Sequence, residues 1–315
     1  MIGLIQNEMI KIFEKRASWI YIAILMVAMV IGGFIYQRIN GEADDNWREN
    51  LEAQNAQYKQ EIEQTPADQD PTWLEDQINQ NERFLEKNIN PTAKNNWHFM
   101  NDVVIGVTTL VTLFSVIVAS AVVAAEFSDG TIKQLLIRPH KRWKVLLSKY
   151  VSVLLYALIL MATLFVSGFI VGILFFGLGD FQTPFFEYTL DGQKEAVLGT
   201  QFLLKTVYFL PSLLMITTIS FMLSTLFKSQ AVAVGIGIFV LFVSNTLGGL
   251  IIMLAEEYTW AKFLIFPHLD LTVFAFQDKI LQNITLAGSL LILTVYYIVF
   301  MIATFVYFQK RDVSI

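Results

Sequence analysis

The sequence of 315 residues contains no cysteine and only three histidines. Without cysteine the chain can form neither a disulfide nor a thiolate metal site. The histidines, at positions 98, 140 and 268, are scattered and have no carboxylates nearby at ligand spacing. The sequence also has no GxxxxGK[ST] phosphate loop, no HExxH zinc motif and no GxSxG nucleophile elbow. We therefore expect no enzyme and no cofactor site on this chain, so that energy for any active process has to come from another polypeptide.

Apolar side chains dominate the composition. Hydrophobic residues make up 55% of the chain and charged residues 16%, with a mean hydropathy of +0.54. A membrane-spanning helix needs about 20 apolar residues. Stretches that meet this requirement run over 18–37, 103–125, 150–176, 206–227, 231–255 and 286–308. The sequence thus predicts an all-α integral membrane protein with six transmembrane helices. Because their cores hold no Asp, Glu, Arg or Lys, an ion-coupled carrier is disfavoured.

The distribution of charge predicts the orientation of these spans. Segments 1–17, 126–149, 228–230 and 309–315 together hold 12 of the 22 Lys and Arg residues but only 5 of the 27 acids. Positively charged loops are retained on the cytoplasmic side of a membrane. We therefore expect both termini in the cytoplasm, with 309–315 as a cytoplasmic tail. Contact of these cations with anionic lipid is the plain explanation of their presence.

The cytoplasmic segment 126–149 contains more than charge. Asp129, Gly130 and Thr131 form a break and a helix start, and Pro139 ends the short helix that follows. Within that helix Leu135 and Leu136 lie on one apolar face. A helix of this kind either lies flat in the lipid interface or docks into a groove on a soluble partner, and the pattern alone does not separate the two.

The order of residues in this segment resembles the first cytoplasmic loop of ABC-2 type (type-2 ABC exporter) permeases of bacteria. The residues that carry the resemblance are Glu126, Gly130, Thr131, Leu135, Leu136, Arg138, Pro139 and the Ser148-Lys149 pair that enters the next span. Residues 1–17 are similar to the amphipathic interface helix that precedes the first span in that family. Its polar positions are Glu8, Lys11, Lys15 and Arg16, opposite an apolar stripe.

The resemblance implies a function. A coupling element would contact a separate cytoplasmic ABC ATPase, which binds ATP and Mg. This element would consist of Glu126, Gly130, Thr131, Leu135, Leu136, Arg138 and Pro139. Two permease chains, identical or related, would assemble in the cell membrane, surrounded by lipid and without nucleic acid. Lipid-like molecules, peptides or antibiotics are the expected cargo. The alternative is a non-transporting membrane sensor or scaffold whose outer segment binds a ligand.

Three segments are expected on the outer side. Segment 38–101 holds thirteen Asp and Glu against six Lys and Arg, and two helical stripes in it predict an extracellular hairpin. This hairpin caps the translocation path, recognises a ligand or is a passive extension. Segment 256–285 has an apolar run that is too short to span and is expected to be re-entrant or interfacial. Segment 180–201 is interpreted as an acidic loop with interfacial aromatic residues.

Overall fold

The computed structural model describes residues 1–64, 70–131, 141–189, 192–281 and 283–311. The helices are α1 (Ile2–Glu14), α2 (Arg16–Asn40), α3 (Trp47–Gln64), α4 (Thr72–Glu86), α5 (Asn96–Phe99), α6 (Ile105–Ala121), α7 (Ala124–Ser128), α8 (Arg142–Phe176), α9 (Leu198–Leu226), α10 (Gln230–Glu257) and α11 (Leu286–Lys310). A π-helical turn, Met100–Val104, joins α5 to α6. Three short 3-10 helices, Thr259–Phe263, Phe266–His268 and Thr272–Ala275, lie between α10 and α11.

Five helical segments in the described part of the chain are long and apolar enough to cross a membrane. They are Arg16–Asn40, Asn96–Ser128, Arg142–Phe176, Leu198–Leu226 and Leu286–Lys310. A bend of 42° divides α10 into Gln230–Ser244 and Thr246–Ala255, which make a sixth if the two halves are one span. The coarse prediction of a nearly all-helical chain with five to six apolar spans is confirmed. The helices extend beyond the apolar runs, because polar residues at their ends continue the helix.

Two small sheets correct the strictly all-α prediction. Strand β1 (Pro184–Thr189) pairs antiparallel with β2 (Gly192–Val197), and β3 (Lys279–Ile280) pairs with β4 (Ile284–Thr285). The first hairpin replaces the acidic loop expected at 180–201. Two residues separate the strands in the sequence, which is the commonest length of a hairpin connection.

Glycines allow the long helices to approach closely. A Cβ added at Gly168 on α8 would lie 2.5 Å from Val104 Cγ2, and one at Gly33 on α2 would lie 2.9 Å from Val171 Cγ1. Small residues at such crossings are typical of membrane helices, where van der Waals packing replaces a hydrophobic driving force. The resulting core between α2, α6 and α8 contains the fully buried side chains of Leu25, Met29, Phe99, Val104, Leu160 and Leu164.

Helices α3 and α4 form an antiparallel hairpin. Asn81 Nδ2 donates to Asn55 Oδ1 at 2.8 Å, and Lys59 Nζ lies 3.4 Å from Glu82 Oε1. The hairpin rests on the first β-hairpin, since the rings of Phe84 and Phe186 pack edge to face at 5.1 Å and Lys87 pairs with Glu195. The segment between α2 and α6 is therefore joined to the segment between α8 and α9.

A tight corner separates α1 from α2 and corrects the expected bounds of the interface helix. Helix α1 ends at Glu14, Lys15 is extended, and Arg16 already belongs to α2. Ser18 Oγ donates to Ile12 O at 2.5 Å and Trp19 Nε1 to Phe13 O at 2.9 Å, so that α2 caps the last carbonyls of α1. At the other end of the chain, α11 continues to Lys310, into the segment expected to be a tail.

Candidate functional site: a buried charge cluster

Four charged side chains from three separate helices meet at one end of the bundle. Glu8 and Lys11 come from α1, Glu126 from α7 and Lys149 from α8, and we refer to these four residues as the charge cluster. Glu126 and Lys149 lie on either side of segment 132–140, which is outside the described residues. The cluster thus joins the N-terminal helix to both flanks of that segment.

Each carboxylate of the cluster contacts both ammonium groups. Lys149 Nζ lies 2.7 Å from Glu8 Oε2 and 3.0 Å from Glu126 Oε1. Lys11 Nζ lies 2.9 Å from Glu126 Oε1 and 3.3 Å from Glu8 Oε1. Thr131 Oγ1 also donates to the Glu126 carboxylate. The arrangement is a closed ring of ion pairs with no net charge.

The depth of burial differs within the ring. The side chain of Lys149 is 2% exposed, that of Glu8 6% and that of Glu126 12%, whereas that of Lys11 is 41% exposed. A buried charge is stable only when it is paired and hydrogen-bonded. Burial alone would lower the pKa of Lys11, but the hydrogen bond to Glu126 and the charges of Glu8 and Glu126 outweigh burial and raise it. Lys11 is therefore held in its charged form.

A break in the second long helix positions Glu126. The turn at 122–123 separates α6 from α7, and Ser224 Oγ on α9 accepts hydrogen bonds from Val123 N at 2.9 Å and Ala124 N at 3.0 Å. The freed amides of the new helix are thus satisfied inside the bundle. Glu126 lies in the first turn of α7, where the helix dipole favours a carboxylate.

A pocket of about 440 Å³ lies beside the charge cluster and is lined in part by Glu14, Lys15, Asp129 and Thr131. The fold therefore brings together residues from both motifs. Glu8 and Lys11 come from the predicted interface helix, and Glu126 and Thr131 come from the predicted coupling element. Lys15 lines the same pocket. These contacts show that the two predicted motifs are neighbours in space.

The remaining sequence-assigned residues are outside the cluster. Arg16 is exposed at the start of α2. Gly130 has a φ of +70°, a left-handed conformation that suits glycine just after α7. Leu135, Leu136, Arg138 and Pro139 lie outside the described residues. Of the expected coupling loop 126–149, residues 142–149 are the first turns of α8 rather than loop, because the apolar periodicity of that helix begins before its fully apolar run.

Two members of the cluster depart from the sequence interpretation. Glu8 was expected on the polar face of α1, but it is buried because that face packs on α8 and meets Lys149. Lys149 was assigned to anchoring at the membrane surface, yet it is among the most buried side chains of the chain. A signal was present in the sequence, since Lys149 shares a helical face with Val145, Ser152, Val153 and Tyr156, all of which are buried.

The site pairs side chains of opposite charge. Among the residues that the structure describes, no group of three or more His, Asp or Glu side chains could hold a metal ion. Lys149 and Lys11 contact three of the four carboxylate oxygens of the cluster, and Thr131 donates to the fourth. What the arrangement can do is transmit displacement between α1, α7 and α8.

Comparison with known proteins places the chain in a family. Proteins of unknown function designated DUF2705 match residues 74–314. The chain belongs to this family. A relative from Bacillus subtilis (strain 168), named uncharacterized protein YhcI, is 35% identical over 322 residues that cover 100% of both chains. Another from the same organism, named uncharacterized membrane protein YdbK, is 30% identical over 207 residues, 65% of this chain and 79% of that protein.

The relative described as a membrane protein and the long apolar helices agree on one property. The chain is a multi-pass membrane protein.

Proposed function

We propose that this DUF2705 protein is the membrane-spanning subunit of an ATP-driven exporter of the type-2 ABC class, with both termini in the cytoplasm and no ATP site of its own. ATP and Mg²⁺ bind to a separate cytoplasmic ATPase, and a second permease chain completes the transporter in the cell membrane. The observation that carries the proposal is the charge cluster, which ties α1 to the two helices that flank segment 132–140.

The cluster supports a coupling role because of where a force would act. A partner that pulls on segment 132–140 displaces Glu126 on one side and Lys149 on the other. Lys149 is bonded to both Glu126 and Glu8, so that separating Lys149 from Glu126 would break an ion pair between buried charges. The lower-energy response is for α1, α7 and α8 to move together. A rigid-body step of this kind is a common form of two-state switching.

The absence of a phosphate loop from the sequence fits this division of labour. A chain without its own nucleotide site needs a surface through which a neighbour's conformational change is received. The residues that resemble the coupling element, Leu135, Leu136, Arg138 and Pro139, lie in the segment whose two flanks the charge cluster joins. Cargo is proposed only at the level of class: apolar spans suit a lipid-like, peptide or antibiotic molecule better than a small ion.

Co-purification in mild detergent tests the proposal. The full chain carries an affinity tag, is expressed in its native host, and the eluate is assayed for a bound ATPase subunit and for ATP hydrolysis. We expect an ABC ATPase to be recovered with the tagged chain, and its recovery to be lost in the variant Leu135→Asp with Arg138→Glu.

Lys141→Glu is the matched control, because Lys141 is exposed, lies next to the same segment and is absent from the motif. This variant is expected to retain the ATPase. Recovery of the ATPase with both variants would show that the motif does not dock it, and recovery of no ATPase from the native chain would refute the proposed function.

A further inference from the structure

A cavity of about 780 Å³ lies near the end of α10 that is remote from the charge cluster. The first residue of α10 is on the cluster side, where Gln230 N donates to Ser128 Oγ at 2.9 Å. The cavity lies beyond the bend of α10, between Ser244, Gly248, Gly249 and Ile252 on one side and residues of segment 266–281 on the other. None of the four residues of the charge cluster lines it.

Two adjacent glycines line the cavity. A Cβ added at Gly249 would have no atom within 4 Å, and one at Gly248 would meet only Phe266 O at 3.7 Å. Packing therefore does not require glycine at either position. Glycine in a helix interior destabilises it by roughly 0.5–1 kcal/mol relative to alanine. Glycine is therefore present at this wall although alanine would fit and would favour the helix. A ligand that occupies the space would account for this choice.

The walls and the rim of the cavity differ in chemistry. The walls include Ile252, Phe266, Leu269 and Val273, whereas Asp270, Asp278 and Lys279 lie at the rim. Asp270 is held in place because its Oδ1 accepts hydrogen bonds from Thr272 N at 3.0 Å and Thr272 Oγ1 at 2.5 Å. A long apolar group fits the walls. A head that carries both signs of charge complements a rim with carboxylates and an ammonium group.

The apolar wall adjoins an exposed apolar surface of α10. Ile252 is 47% exposed, and its neighbours Leu250 and Met253 are 57% and 70% exposed. A molecule dissolved in the membrane can therefore reach the cavity sideways along α10. The volume is within the range of about 300–1,000 Å³ that is typical of small-molecule sites. One hydrocarbon chain with its head fits this range better than a bulky assembly.

We infer that this cavity binds a single-chain amphiphile with a zwitterionic head, whose chain lies against Ile252 and Leu269 and whose head lies between Asp270 and Lys279. The ammonium group of the head pairs with the carboxylate and its anionic group with Lys279. The inference does not rest on the proposed transport function, since a sensor or scaffold with the same fold has the same cavity.

Photolabelling in nanodiscs tests this inference. The full chain is reconstituted in phosphatidylglycerol, which supplies no zwitterionic competitor. The probe is a lysophospholipid with a phosphoethanolamine head and a diazirine in its chain. We expect labelling at Ile252, Leu269 and Val273, mapped by mass spectrometry. A second probe with the same chain and a sulfate head is expected to label these residues about tenfold less, as the loss of one good polar contact implies.

Variants of α10 show whether the label comes from the cavity. Gly249→Leu adds an apolar side chain at a wall position where an added Cβ would meet no atom within 4 Å, and it is expected to reduce cavity labelling about tenfold. Gly235→Leu is the matched control, because a Cβ at Gly235 also meets no atom within 4 Å but that residue does not line the cavity. Thermal unfolding of both variants verifies that they fold.

Two results would overturn the inference. Equal labelling of the native chain and Gly249→Leu would show that the probe reacts from the surrounding lipid. Equal labelling of the cavity by the sulfate and phosphoethanolamine probes would show that the rim does not select a zwitterionic head. Labelling confined to the zwitterionic probe and sensitive only to Gly249→Leu supports it.

Discussion

Replacing Lys149 by methionine is the sharpest test of the charge cluster. Methionine keeps much of the length and the apolar stem of lysine but removes its charge, so that Glu8 and Glu126 remain buried with only the partly exposed Lys11 between them. At an effective dielectric constant of about 20, a charge pair separated by about 3 Å is worth roughly 6 kcal/mol. Much of this attraction offsets the dehydration of the buried charges.

The net effect follows from removing one partner of a buried ion pair. Such a change typically destabilises a protein by about 3–5 kcal/mol, because the remaining charge stays buried and unpaired. At about 2–4 °C per kcal/mol we expect Lys149→Met to unfold about 10 °C below the native chain. Thermal unfolding in detergent, followed by tryptophan fluorescence, measures the shift.

A local measurement shows where the structure opens. Because the chain has no cysteine, a single cysteine introduced at Ile12 reports accessibility without background. Ile12 is 5% exposed and lines the pocket beside the cluster. We expect it to react slowly with a maleimide in the native chain and faster when Lys149 is replaced.

Two further variants separate charge from packing. Lys11→Met removes the exposed member of the ring, and partly exposed pairs are worth about 1 kcal/mol or less, so a much smaller shift is expected. Adding Glu8→Gln to Lys149→Met again leaves equal numbers of opposite charges and should recover part of the lost stability. If Lys149→Met costs no more than Lys11→Met, the cluster does not hold the three helices together.

Three other predictions concern packing, hydrogen bonding and pH. Gly168→Ala is expected to lower the unfolding temperature, because the added Cβ would lie 2.5 Å from Val104. Gly106→Ala is the control and should be neutral or slightly stabilising, because a Cβ there meets no atom within 4 Å. Equal shifts of the unfolding temperature would contradict the close helix crossing. In the α3–α4 hairpin, Asn81→Leu removes the donor to the buried Asn55 Oδ1 and should lower the free energy of unfolding by about 1–3 kcal/mol. Replacing both Asn55 and Asn81 by leucine should recover part of this loss. Circular dichroism melting measures both variants, and additive losses would argue against the hydrogen bond. Because the pKa of Lys11 is raised, its stabilising contribution is fully present below its ordinary pKa of 10.5 and is lost only as pH rises through the raised pKa. The unfolding temperatures of the native chain and Lys11→Met should therefore differ by a constant amount from pH 6 to 9. A difference that changes within that range would contradict the raised pKa.

Hydropathy predicts the bundle well and its helix boundaries less well. Apolar runs locate each long helix, because the requirement for about 20 apolar residues is a property of the sequence itself. The ends are missed where polar residues continue the helix, as at 142–149 before the third apolar run. The β1–β2 hairpin is not predicted from the sequence, because its aromatic residues are interpreted as part of an interfacial loop.

The charge cluster shows what a single sequence does not contain. Glu126 was singled out from its motif, and Glu8 and Lys11 from the amphipathic pattern of α1. Their meeting with Lys149 depends on the way α1 folds back against α8, which no local pattern encodes: Glu8 and Lys149 are 141 positions apart. The helical face of Lys149 indicates that this side chain is buried, but its partners depend on tertiary packing.

The mechanical role of the cluster and the source of energy are separable questions. The ion pairs join α1, α7 and α8 whichever partner acts on segment 132–140, and a sensor or scaffold would use the same connection to pass a signal in the opposite direction. Loss of stability in Lys149→Met therefore establishes the connection but not the exporter. Only the identity of the protein bound at 132–140 decides between them. Where that protein is an ATPase, Lys149→Met is assayed at a temperature low enough for the variant to stay folded. A variant that retains the ATPase but loses ATP-dependent transport would identify the cluster as the element through which work from the partner reaches the spans.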